Sequence, residues 1–336
     1  MNTRGEILIL PFIIADNAGR VTVVPPTPVN ARDDQKPQYF PRIALNGADA
    51  RRGAPRSAAR LTAYVVRGAV VLLAAGVGAA AGPTTTARTI AHPDDPARQV
   101  EFFVETPRTP APWPTVVLLH GHQEGPRPGG REFADWGVLR QLAARGYLAV
   151  SISQPGYGAT SGPADFAGPA TQHAIDGVIA RLRAEHLARP KKIVLEGISL
   201  GALSAGLTAL HDADIAGVVL ISGVYDLPAY VAEARGSPAK AAVAVDLLHE
   251  SGGSATALAE RSLLPQAAQL KAEALILNGA KDERTDPQQA RTARIVRTGG
   301  RAQAIIYPDF GHYIPVEVRA RVIDPFIDRL LRDPGV

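Results

Sequence analysis

The chain has 336 residues, a formal net charge of +4 and 46% hydrophobic residues, enough to bury a sizeable core. It contains no cysteine, which excludes a disulfide framework, a thiol nucleophile and any cysteine metal site. Much of the positive excess is arginine in the first 70 residues, no basic patch is interleaved with aromatics, and no zinc-finger or RNA-binding signature occurs, so nucleic acid is not an expected partner.

Residues 1–64 lack a sustained period and carry the proline cluster "VVPPTPVN" and the arginine-rich "ARRGAPRSAAR". They read as a disordered leader or a mis-called start. Residues 65–87 read as a signal peptide or membrane anchor. Arg67 precedes an uncharged apolar run, Gly68 to Ala81, that ends in small residues. The run is short for a bilayer span, so export to the periplasm or medium is expected, with membrane attachment only if the run stays uncleaved. Met1 is the only methionine, so a start near Val65 or Val66 would have to use a valine codon.

A regular pattern occupies residues 88–336. "VEFFVET" predicts an early strand and "PTVVLLHG" a continuous apolar one. "FADWGVLRQLAARG" has helical spacing, "YLAVSIS" is a strand, and "ATQHAIDGVIARLRAEH" is a helix. Next come the strand "KKIVLEG", the helix "LGALSAGLTALH" and the strand "IAGVVLISGVYD". Residues 227–265 interrupt the alternation as a small helical cap insertion. The strand "EALILNGAKD", the helix "DPQQARTARIVRTGG", the strand "AQAIIYPD" and a last helix kinked at Pro325 complete the chain. Apolar strands alternating with helices predict an α/β architecture: a mainly parallel central sheet with helices on both faces.

Gly197-Ile198-Ser199-Leu200-Gly201 is G-x-S-x-G between a strand and a helix. That context holds a serine on a strained turn, with glycines where side chains would collide with backbone. A serine hydroxyl needs a base. His312, in "YPDFGHY" after the last strand, is the best placed of the eight histidines. His173, His186 and His211 fall on or beside helices, His92 precedes the core pattern, and His249 lies in the insertion. The base needs an acid to fix its tautomer. Asp282, just past a strand, is the first candidate and Asp226, after "LISGVY", the alternative acid; Asp286 reads as a helix cap and Asp309 as a turn residue. Oxyanion donors are expected at the backbone N–H of Leu200 and of His122, with His120 and Gly121 shaping the turn. His120 and His122 as a zinc pair is a competing reading without a supporting Cys, Asp or Glu set, so no metal and no cofactor are expected. Glu196, before the elbow, is either a partner of the site or a strand-end carboxylate paired with a lysine such as Lys192.

These residues resemble the α/β-hydrolase superfamily. "LLHGHQEG", "GISLGA", "LNGAKDE" and "YPDFGHY" occur in that family's order, over roughly residues 95–333. The stretch from "LLPQAAQLKAEALILNGAKDE" to "AIIYPDFGH", with "SQPGYGATSGP" earlier, is similar to prolyl-oligopeptidase-like and dienelactone-hydrolase-like catalytic domains. The resemblance implies an α/β-hydrolase fold with Ser199 as nucleophile, Asp282 as acid, His312 as base, and Leu200 and His122 as oxyanion donors. It implies a serine hydrolase of small carboxylic esters. The alternatives are a serine peptidase acting on short peptides and a non-catalytic binding protein on the same fold. The chain departs from oligopeptidases in having no room for a β-propeller.

Overall fold

The computed structural model describes residues 12–15, 21–24, 85–285 and 301–333. The apolar run Gly68 to Ala81, most of residues 1–64 and the helix expected over 286–300 lie outside the described residues. Two short strands, β1 (Phe12–Ala15) and β2 (Val21–Val24), pair antiparallel.

The main sheet is built from β3 (Thr86–His92), β4 (Asp95–Glu105), β5 (Trp113–Leu119), β6 (Leu148–Ile152), β7 (Ala188–Ile198), β8 (Ile215–Ile221), β9 (Glu273–Gly279) and β10 (Ala302–Tyr307). Their spatial order is β10-β9-β8-β7-β5-β6-β4-β3. The strands from β10 to β6 run parallel, and β4 and β3 join antiparallel at one edge. Parallel strands are covered on both faces, which is why "VVLL" of β5 and "IVL" of β7 are apolar at every position rather than alternately.

The helices follow from the same pattern. α1 (Arg131–Asp135) and α2 (Val138–Ala144) replace the single helix expected there. Gly137 separates them with φ 74°, a conformation that a helix interior cannot contain. α3 (Pro169–Ala184) and α4 (Leu200–His211) pack on the sheet face carrying Val117, Leu119 and Leu195. α1, α2 and the C-terminal helix pack on the other, against Val116, Leu118 and Val194.

The connection between β8 and β9 carries the insertion. It holds α5 (Leu227–Ala234), α6 (Pro238–Ser251) and α7 (Ala255–Glu260), followed by a 3-10 turn (Leu264–Gln269). Leu227, Tyr230 and Leu247 bury its inner side. The C-terminal element is α8 (Val316–Val318), a π-helical stretch (Arg319–Ile323) and α9 (Asp324–Leu331). Pro325 has no N–H to give the preceding turn, and the wider π turn lies just ahead of it.

The chain order of the parallel strands reverses beside β5: β6 lies to one side, and β7, β8, β9 and β10 follow in turn on the other. Such a reversal opens a crevice outside the carboxyl ends of the strands.

Candidate active site

Ser199 sits between β7 and α4 with φ 56° and ψ −116°. A non-glycine residue with this backbone is strained, and the surrounding structure must hold it there. The hold is visible. Ser199 N–H donates to Ile221 O at 2.8 Å, and its carbonyl accepts from Ala202 and Leu203 as α4 begins. A Cβ at Gly197 would collide with the Gly201 carbonyl, and one at Gly201 would collide with the Leu119 carbonyl. Both positions therefore admit only glycine, which explains the spacing of the motif. The turn leaves Ser199 partly exposed at the carboxyl edge of the sheet.

His312 follows β10. Its carbonyl accepts a 2.8 Å hydrogen bond from Ser222 Oγ, and Ser222 directly follows Ile221, the backbone partner of Ser199. The imidazole and the serine are thus hung from adjacent residues at the end of β8. Ser199 Oγ makes no hydrogen bond among the described residues, His312 included. Bonds of this kind are commonly long before substrate binds and tighten in the Michaelis complex.

Asp282, three residues past β9, lies 3.0 Å (Oδ2) and 3.2 Å (Oδ1) from His312 Nδ1. It also accepts from the amides of Arg284 (2.8 Å) and Thr285 (3.0 Å) and from the Thr285 hydroxyl (2.5 Å). Burial pushes its pKa up, but the hydrogen bond and charge of His312 and the bonds from Thr285 outweigh that and hold the carboxyl below its ordinary range. A carboxyl with a lowered pKa in contact with Nδ1 is an arrangement that can fix the orientation of the imidazole. Asp226 caps α5, its Oδ1 accepting from Ala229 N–H at 3.1 Å.

The loop after β5 reaches Ser199. A Cβ at Gly121 would stand 3.3 Å from both Ser199 Cβ and Ile198 O, so the 120–122 backbone runs directly against the elbow. Leu200 N–H, at the first position of α4, has no intrahelical acceptor, as at any helix start. His120 is fully buried. Its Nδ1 is 2.8 Å from Gly121 O, and its Nε2 accepts from Gln154 N–H at 3.1 Å. Burial lowers its pKa to about 4, so it is a neutral wedge with its proton on Nδ1. Gln154 completes a clamp that sequence reasoning missed. Its amide donates to His120 O at 2.8 Å, and its carbonyl accepts from Ser204 Oγ of α4 at 2.7 Å. The "SQPGYG" segment was the only sign of it in the sequence.

His122 points into the insertion, with Nε2 2.8 Å from Asp246 Oδ2. His122, Asp246 and Glu250 place one donor atom each within 4.8 Å of one another. Arg127 stands 3.7 Å from Asp246 Oδ2 and 3.8 Å from Glu250 Oε1, so a guanidinium already faces both carboxylates. His120, locked by Gln154, does not join this group. Glu196 pairs with Arg319 of the π stretch, both almost fully buried, whereas Lys192 Nζ reaches Leu330 O at 3.1 Å. The carboxylate before the elbow is therefore tied to the segment that follows His312, and Lys192 is engaged elsewhere.

The model of the alpha/beta hydrolase family matches residues 116–333. A comparison with curated protein sequences finds no match. Among solved structures, an acylaminoacyl peptidase in complex with a chloromethyl ketone superposes with a TM-score of 0.61 at 18% identity, over 76% of this chain and 43% of that one. The 2,6-dihydroxy-pseudo-oxynicotine hydrolase gives 0.60 at 18% identity, over 74% and 69%. The acetyl xylan esterase from Paenibacillus sp. R4 gives 0.60 at 15% identity, over 75% and 86%. The chain therefore spans less than half of the peptidase. At these identities the likeness is one of fold.

Proposed function

The chain belongs to the alpha/beta hydrolase family, and from that premise we propose that it is a serine hydrolase cleaving carboxylic esters through an acyl-enzyme. The observation that carries this reading is the 3.0 Å contact of His312 with buried Asp282, together with a serine held on a strained elbow whose backbone hangs from the same end of β8.

In this reading Asp282 holds the Nδ1 proton of His312, which leaves Nε2 free to take the Ser199 proton. The Ser199 oxygen attacks the acyl carbon, and the tetrahedral oxyanion forms against the amides of Leu200 and His122. Each such donor contributes on the order of 10²–10³ in kcat. His312 then protonates the leaving alcohol. Water, deprotonated by the same imidazole, releases the acid and restores Ser199.

The same groups would cleave an amide, and the peptidase among the structural neighbours keeps short peptides as the second reading. Of Arg127, Arg131 and Arg284, the arginines that could anchor a peptide carboxylate, the first is engaged by Asp246 and Glu250 and the second by Asp135 at 3.6 Å, which favours esters. Parallel assays of short p-nitrophenyl esters and aminoacyl-anilides test the choice. Ester turnover well above anilide turnover is expected, and the reverse would overturn it. Export through the apolar run 68–81 is part of the proposal. N-terminal sequencing of the mature protein checks it: a first residue just after Ala81 is expected for cleavage, and one before Gly68 would contradict it.

A further inference from the structure

We propose that Asp246, on the insertion helix α6, is a positioning residue for the oxyanion donor His122, so that the insertion completes the oxyanion hole when it seats. The inference rests on the serine-hydrolase reading above.

The loop from 120 to 130 has no regular secondary structure, so its amides depend on side chains to fix them. Two clamps hold its flanks. His120 is locked by Gln154, as described. Gln123 closes the far side, its carbonyl accepting from Gly129 N–H at 2.8 Å and its amide donating to Gly129 O at 3.3 Å. His122 lies between them. Its ring is nearly buried, with 6% of the side chain exposed, and Asp246 is its one polar partner among the described residues.

Asp246 and Glu250 stand one helical turn apart and face the loop together. Arg127 answers them from the loop, its carbonyl accepting from Gly158 N–H at 2.7 Å and its guanidinium lying over the Tyr157 ring at 5.0 Å. The insertion thus grips the loop at two points, and one grip falls on His122, the residue assigned above as the second oxyanion donor. Neutral His122 with its proton on Nε2 and protonated His122 both donate to Asp246, so the grip does not need a change of charge.

The test compares Asp246→Ala, Asp246→Asn, His122→Phe and the Asp246→Ala/His122→Phe double variant. Ester turnover is scaled to Ser199 sites titrated with a fluorophosphonate. Loss of the grip misplaces one donor, so kcat falls roughly 10–100-fold for the alanine and phenylalanine variants, with KM nearly unchanged. Affinity for an arylboronic acid, which places an oxyanion in the hole, falls by the same factor. Asp246→Asn keeps an acceptor for Nε2–H and stays within about threefold of wild type. The double variant falls no further than Asp246→Ala alone, because that substitution has already removed the His122–Asp246 bond. His122→Phe keeps the backbone amide and the bulk of the ring, and it carries the test if Asp246→Ala does not fold. Wild-type kcat per titrated site in the single variants, or losses that multiply in the double, would overturn the inference. A wild type that neither labels nor turns over esters would instead overturn the serine-hydrolase reading.

Discussion

Asp282→Asn changes one atom and should abolish most of the activity while sparing the fold. Asp282 Oδ1 accepts from two backbone amides, Arg284 at 2.8 Å and Thr285 at 3.0 Å, so the carbonyl oxygen of an asparagine is held at that position. The new NH₂ then occupies the Oδ2 position, 3.0 Å from His312 Nδ1. Nδ1 must accept from it, and the imidazole proton moves to Nε2. That nitrogen can no longer take the Ser199 proton. The Thr285 hydroxyl can turn to accept from the NH₂, but its own proton then loses the Oδ2 acceptor, so a modest loss of stability accompanies the loss of activity. A wrong-tautomer change of this kind lowers kcat by roughly 10⁴, about 5.4 kcal/mol of barrier. The assay is p-nitrophenyl acetate hydrolysis beside thermal denaturation of the same sample. A folded Asp282→Asn enzyme within tenfold of wild type would refute the triad geometry.

Other consequences follow from the same contacts. Asp226→Ala removes the cap of α5 and should cost about 1 kcal/mol in urea denaturation, with kcat unchanged; a large fall in kcat would return Asp226 to the acid's role. Buried His120 excludes a proton that the unfolded chain takes up. Because its folded pKa of about 4 lies below the unfolded 6.5, it subtracts stability as pH falls through that window, up to roughly 3 kcal/mol. His120→Gln should flatten the stability profile between those limits, and an identical slope in both proteins would contradict the assignment. Arg319→Met takes the guanidinium from the nearly buried Glu196 and should cost about 3–5 kcal/mol, whereas Glu196→Leu with Arg319→Met should recover most of it. A double-variant loss equal to the sum of the Arg319→Met and Glu196→Leu losses would show that the pair is not coupled.

The sheet was legible because its strands are apolar without alternation, a pattern that only two-sided cover explains. The elbow was legible because Gly197 and Gly201 tolerate no Cβ, so a steric demand is written as residue type. The helix break at Gly137 was not read, since a helical period continues through the glycine and only its φ reveals the stop. β3 was also missed; its exposed, mixed residues at an antiparallel edge carry little apolar signal. Choosing between Asp282 and Asp226 needed coordinates, because both follow parallel strands and only contact with His312 separates them. The partner of Glu196 was out of reach for a similar reason. Arg319 lies 123 residues away, and nothing local marks it among the arginines. Long-range polar pairs such as His122 with Asp246 leave no period in a sequence.

The most direct measurement of the central claim is covalent labelling by a fluorophosphonate, read by intact mass and by sequencing of the labelled peptide. One adduct per chain is expected, on Ser199, absent from Ser199→Ala and strongly slowed in His312→Gln. Failure of the wild type to label, or an adduct that persists in Ser199→Ala, would contradict the account.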